Sequence, residues 1–142
     1  MNLLIINGPN LNLIGSREPE IYGVENPFKM VDRLKGKYPQ INIDYFQSNV
    51  EGEIINALQN AVDKYDGIIL NAGGYTHTSI AIADAVKAIK TSVVEVHMSN
   101  VLQRESFRHI SYISPSADGV ISGFGATSYE LAIQYYILKN DE

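Results

Sequence analysis

The chain has 142 residues, 45% of them apolar, and no cysteine, which suffices for one sizeable core and excludes disulfides, thiolate metal sites and cysteine nucleophiles. Its net charge of −5 argues against nucleic acid as a partner but leaves a small anion open, because local charge decides that. No apolar run approaches the roughly 18 residues of a membrane span. The first apolar run has no basic flank and ends at Asn7, unlike a signal peptide, so the expected setting is the cytoplasm. With no internal repeat or linker, one domain over residues 1–142 is expected.

Asn2 to Ile6 reads as a central strand buried on both faces, stopped by Asn7-Gly8-Pro9. A polar loop follows, in which Arg17 and Tyr22 stand five residues apart among Gly15, Pro19 and Gly23, the composition of a positioned lid. Asn26 and Pro27 then open a helix, with Phe28, Val31 and Leu34 at helical spacing and a stop near Tyr38-Pro39. Ile41, Ile43 and Tyr45 alternate with polar residues, as in a half-buried strand near a sheet edge. A helical face runs from Glu51 to Tyr65, and Gly67 to Leu70 is a third strand ended by Asn71-Ala72-Gly73-Gly74. Tyr75 to Ser79 leads into an Ala-rich helix ending near Lys90, Val93 to His97 is a fourth strand, and a short helix is expected through Phe107. Gly119 to Ser122 is a fifth strand, and Ser128 to Lys139 a last helix offering Leu131, Ile133, Tyr135 and Leu138 to the core.

Strand and helix alternating five times imply an α/β, three-layer, doubly wound parallel sheet, for which the flavodoxin-like strand order 2-1-3-4-5 is expected. Ligands of such folds lie beyond the carboxyl ends of the strands, where the order reverses, here between strands one and three. Asn10, Asn71, His77, His97 and Ser99 fall at those ends. All seven lysines lie in helices or at their edges, which leaves no obvious Schiff-base nucleophile, whereas Arg17, Arg104 and Arg108 lie in or beside strand-end loops. Arginine there suits a carboxylate or phosphate. Glu95 with His97 is too small a group to hold a metal. Acid and base work on a small polar anion, without a metal, is the chemistry these residues favour.

Four motifs carry a resemblance: Asn7-Gly8-Pro9-Asn10-Leu11-Asn12 with Gly15-Ser16-Arg17-Glu18-Pro19 and Tyr22-Gly23; Asn71 through Ser79; Glu95-Val96-His97-Met98-Ser99-Asn100; and Arg104-Glu105-Ser106-Phe107-Arg108. In this order they resemble the type II 3-dehydroquinate dehydratases of the shikimate pathway, nearly end to end. The stretches Val24 to Pro27 and Tyr112 to Asp118 depart from the family's pattern. The resemblance implies a flavodoxin-like subunit, no cofactor or metal, and a dodecamer built as a tetramer of trimers. It also implies anti elimination of water from 3-dehydroquinate through an enol or enolate, giving 3-dehydroshikimate.

The family's roles fall on matching residues. Tyr22 resembles the base; a free phenol titrates near ~10, so it needs a cation nearby, and Arg17 is the candidate. His97 resembles the acid for the departing hydroxyl, with a reference pKa near ~6.5 that suits transfer in both directions. Asn10 would hold a water or the enolate oxygen, and Glu95, two residues from His97 on the same strand face, would orient the imidazole. The substrate carboxylate is expected at Met98 and Ser99 at a helix start, and Asn71, His77 and Arg108 resemble ring-hydroxyl contacts. Asp84 matches a position reaching a neighbouring subunit's site, and Arg104 resembles a lid arginine.

Taken singly, each of these residues has a plainer reading: a half-buried loop tyrosine, a core histidine, turn-forming asparagines, an exposed helical aspartate. Their convergence on one sheet edge favours function. A binding module for a flavin or nucleotide phosphate would suit the same fold, but the first loop lacks a Ser/Thr-rich phosphate cradle and Pro9 removes a backbone donor. The remaining alternative is a structural oligomer with incidental polar loops.

Overall fold

A computed structural model of the chain describes residues 1–16, 18–22 and 25–142, without the side chains of Pro19 and Tyr22. Five parallel strands, β1 (Asn2–Asn7), β2 (Asn42–Gln47), β3 (Gly67–Asn71), β4 (Ser92–His97) and β5 (Gly119–Ser122), form one sheet in the order β2-β1-β3-β4-β5. This is the flavodoxin-like order expected from the alternation of elements. The helices are the four-residue α1 (Pro19–Tyr22), then α2 (Pro27–Lys37), α3 (Glu51–Asn60), α4 (Ile80–Ala88) and α5 (Thr127–Asn140).

Because strand side chains alternate between faces, the apolar run of β1 supplies two separate cores. Leu3 and Ile5 pack with Met30, Val31 and Leu34 of α2 and with Ala132, Ile133 and Tyr136 of α5. Leu4 and Ile6 pack on the other face with Ile54 and Leu58 of α3 and Ile82, Ala85 and Val86 of α4. Each fully buried Leu or Ile contributes about 1.5–3 kcal/mol relative to exposure, so these two layers hold the strand ends in place.

Local chemistry sets the helix starts. Asn26 Oδ1 accepts from Phe28 N at 2.8 Å with Pro27 following, and Ser79 Oγ accepts from Ile82 N at 2.9 Å. Four sequence expectations need correction. Phe28 is 67% exposed, edge-on to the Tyr45 ring at 5.6 Å, and Met30 takes its place in the core beside Val31 and Leu34. Helix α3 stops at Asn60 rather than Tyr65, because the following turn places Asp63 at φ 65°. The short helix expected before Phe107 is two three-residue 3-10 turns, Val101–Gln103 and Ser106–Arg108. On α5, Leu131 and Leu138 face outward, and the buried stripe is Tyr129, Ala132, Ile133 and Tyr136.

The register aligns polar residues at the carboxyl ends of the strands. Asn7 stands opposite Gln47 on one side and Asn71 on the other, and His97 stands opposite Ser122. Just beyond Asn7, the loops after β1 and β3 touch: Gly8 N donates to Asn71 O at 2.7 Å. A Cβ on Gly8 would lie 2.3 Å from Ala72 O, so no larger residue fits this junction without moving backbone.

Candidate active site

The cleft lies where the strand order reverses, as the fold rule requires. It encloses about 100 Å³ and is walled by Asn10 and Leu11 after β1, Asn71 and His77 after β3, and His97, Met98, Ser99, Arg104 and Arg108 after β4. Its lining holds two arginines, two histidines and no carboxylate among the described residues. In a chain with a net charge of −5, two guanidinium groups are concentrated at this one cleft.

Glu95 and His97 share one face of β4, two residues apart, and His97 Nε2 lies 3.2 Å from Glu95 Oε2. Glu95 is 1% exposed, and two hydroxyls close around it: Ser111 Oγ donates to Oε1 at 2.5 Å and Ser114 Oγ to Oε2 at 2.6 Å. Ser111 Oγ itself accepts from the backbone N–H groups of Ile113 and Ser114, which leaves its proton for the carboxylate. Burial works against ionisation, but the hydrogen bonds from His97, Ser111 and Ser114 together outweigh it, and the Glu95 pKa lies below its ordinary value. An ionised Glu95 keeps a proton on His97 Nε2, which fixes the tautomer and the ring.

His77 stacks beside His97, ring centroids 6.3 Å apart at 21°, and its Nδ1–H donates to Ile110 O at 2.7 Å. Burial lowers the His77 pKa; the charges of His97 and Arg108 lower it further, and the Ile110 carbonyl only partly opposes them. His77 is therefore neutral at neutral pH, with Nε2 as an acceptor. Arg104 Nη1 donates to Ser99 Oγ at 3.3 Å, while Arg108 Nε donates to Glu105 Oε2 at 2.8 Å. Ser99 O accepts from Ser122 Oγ at 3.0 Å, and Gly125 N donates to Met98 O at 2.9 Å, so the start of β5's exit loop pins this wall.

Asn10 sits in the left-handed region at φ 68°, which asparagine tolerates. Its N–H donates to Asn49 Oδ1 at 3.0 Å, and that oxygen also accepts from Gln47 Nε2 at 3.1 Å. Tyr75 OH donates to Asn49 O at 2.8 Å, joining the loops after β1, β2 and β3.

The structure thus brings together Asn10, Asn71, His77, Glu95, His97, Met98, Ser99, Arg104 and Arg108. Asp84 is exposed on α4 and does not line the cleft. Arg17 and the Tyr22 side chain lie outside the described residues. The helix start expected to receive an anion at Met98 and Ser99 is only a three-residue turn, so charge there comes from Arg104 rather than a helix dipole. Sequence reasoning passed over Gln47, Asn49, Ser111 and Ser114. The first two were signalled by their place at the end of the second strand; the serines only meet Glu95 through a long-range contact. Among the described residues, no group of three His, Asp or Glu is placed to hold a metal ion.

Fold and cleft together define the class: a flavodoxin-like α/β protein with an arginine- and histidine-lined cleft at its strand ends. The profile of the family Dehydroquinase class II matches residues 1–137. A 3-dehydroquinate dehydratase from Prochlorococcus marinus is 51% identical over 136 residues, covering 94% of each chain. One from Clostridium perfringens is 52% identical over 143 aligned positions, covering 99% of this chain and 98% of its own. The crystal structure of a type II dehydroquinase from Butyrivibrio crossotus superposes with a TM-score of 0.91 at 45% identity, over 95% of this chain and 96% of that one. The chain belongs to the class II dehydroquinase family.

Proposed function

We propose that this chain removes water from 3-dehydroquinate to give 3-dehydroshikimate, by anti elimination through an enolate, in the shikimate route to aromatic amino acids. Family membership makes it a hydro-lyase of the 3-dehydroquinate dehydratase type. The observation that supports the mechanism is His97, held by buried Glu95, at the wall of a cleft with two arginines and no carboxylate among its described lining.

The proton to be removed is α to a ketone and the leaving hydroxyl is β to it. Tyr22, as a phenolate favoured by Arg17, takes the α proton, and the C–H electron pair becomes the enolate, whose oxygen charge a water on Asn10 stabilises. Collapse of the enolate breaks the β C–O bond, and His97 in its imidazolium form, with its Nε2–H kept on Glu95, gives up its Nδ1 proton so that oxygen leaves as water. The Tyr22 proton is then lost and His97 is reprotonated, so the enzyme ends as it began. The substrate carboxylate sits at Met98 and Ser99 beside Arg104, and Asn71, His77 and Arg108 take the ring hydroxyls.

The test is absorbance of the conjugated enone when 3-dehydroquinate is added, with a chelator present throughout. Product at an undiminished rate is expected; no product from folded protein would sink the dehydratase reading, and a chelator-sensitive rate would sink the metal-free mechanism.

The same reading makes the protein a homododecamer, a tetramer of trimers in the cytoplasm, with Asp84 reaching a neighbour's site from its exposed place on α4. In support, large apolar side chains stand in water on this chain, among them Phe107 at 66% and Phe124 at 63% exposure. Light scattering is expected to give twelve times the 15.7 kDa chain mass. A monomer would remove the shared-site role of Asp84.

A further inference from the structure

Behind the cleft wall a polar chain crosses the interior from α5 to the sheet. Tyr129 is fully buried, Asn7 is fully buried, and Asn71 is 3% exposed. Asn71 Nδ2 donates to Tyr129 OH at 2.8 Å, Tyr129 OH donates to Asn7 Oδ1 at 2.7 Å, and Asn7 Nδ2 donates to Tyr45 OH at 3.3 Å. At the other end, Gly73 N donates to Asn71 Oδ1 at 3.2 Å.

These directions are not interchangeable. A backbone N–H can only donate, so Gly73 requires the carboxamide oxygen of Asn71 on its side. That turns the Asn71 NH2 toward Tyr129, whose hydroxyl must then accept. Its single proton goes to Asn7 Oδ1, which in turn sends the Asn7 NH2 to Tyr45. Flipping Asn71 would set its NH2 against the Gly73 N–H, two donors face to face. Burial raises the Tyr129 pKa well above its ordinary value, against the hydrogen bonds it shares with Asn71 and Asn7, so the hydroxyl keeps its proton throughout the working range.

We propose that Tyr129 is a positioning residue: the Gly73 N–H sets which end of the Asn71 carboxamide is which, and the buried Tyr129 hydroxyl anchors one Nδ2–H, leaving the second as a donor to the cleft. Asn71 then recognises an oxygen acceptor on the bound ring and discriminates against a ligand that offers only a donor there. The inference rests on the reading in which Asn71 contacts substrate; it adds the buried hydroxyl that holds the amide in place.

The experiment compares KM and kcat for 3-dehydroquinate in wild type, Asn71→Ala, Tyr129→Phe and the double variant. Losing one hydrogen bond's worth of orientation is expected to raise KM of Tyr129→Phe about fivefold, with kcat within about twofold of wild type. In the Asn71→Ala background, Tyr129→Phe is expected to leave KM unchanged, because it acts only through Asn71. No turnover by wild type, or an unchanged KM in Asn71→Ala, would sink the underlying site reading. A raised KM in Asn71→Ala beside a wild-type KM in Tyr129→Phe, or additive effects in the double variant, would overturn the proposal alone. If Tyr129→Phe does not fold, Asn7→Ala removes the acceptor that orders the Tyr129 hydroxyl, and the same rise in KM and the same non-additivity with Asn71→Ala are expected. Their absence overturns the proposal.

Discussion

Replacing His97 with glutamine is expected to lower kcat on 3-dehydroquinate by ~10²–10⁴-fold, the range associated with a positioned general acid. Glutamine keeps an N–H that can reach Glu95, so the buried carboxylate stays partnered and the strand end keeps its shape. What it lacks is a proton that it can give up to the departing oxygen. Because the hydroxyl leaves only in the chemical step, KM should change far less than kcat. A variant within about tenfold of wild-type kcat would remove His97 as the acid. Glu95 bears on the pH range over which this comparison is valid. Its pKa lies below the ordinary carboxylate value, so it contributes stability that is present above the unfolded-state value and is lost as pH falls through the lower folded value. Near neutral pH it is ionised in the folded protein, and the His97 tautomer is fixed.

Tyr22→Phe is expected to have an effect of similar size, again about 10²–10⁴-fold in kcat, with substrate still bound. In the proposed mechanism the phenolate acts only on the α proton, and phenylalanine keeps the ring. Near-full turnover would eliminate Tyr22 as base. The companion variant, Arg17→Gln, should move the basic limb of kcat/KM upward, since a phenol without its cation ionises at higher pH. An unchanged limb would assign the lowering of that pKa to another group.

The comparison of the two histidines shows how far residue type reaches by itself. His77 and His97 both stand at strand ends, and position alone gives them equal claims to acid chemistry. The difference lies in their partners: a backbone carbonyl at Nδ1 of His77, and a caged carboxylate at Nε2 of His97. The carboxylate's cage, Ser111 and Ser114, comes from a loop whose sequence offers no hint of it, because a serine that meets a buried glutamate 16 or 19 residues away looks like any other loop serine. In the same way α5 carries two plausible apolar stripes. Leucine would be favoured on hydrophobicity, yet Tyr129 and Tyr136 take the inside because the interior supplies partners for their hydroxyls, Asn7 and Asn71 for one and the carbonyls of Ile68 and Ser92 for the other.

By itself, then, the amino-acid sequence determined the alternation of strands and helices, the strand order expected from it, the helix cap at Asn26, and the polar motifs at the strand ends. These rest on near-neighbour periodicity and on residue chemistry that acts within a few positions. The tertiary structure decided which of two stripes on α5 is buried and which hydroxyls close around the Glu95 carboxylate. Each of those depends on a hydrogen-bond partner far away in the chain, whose distance and direction exist only once the sheet has brought it near.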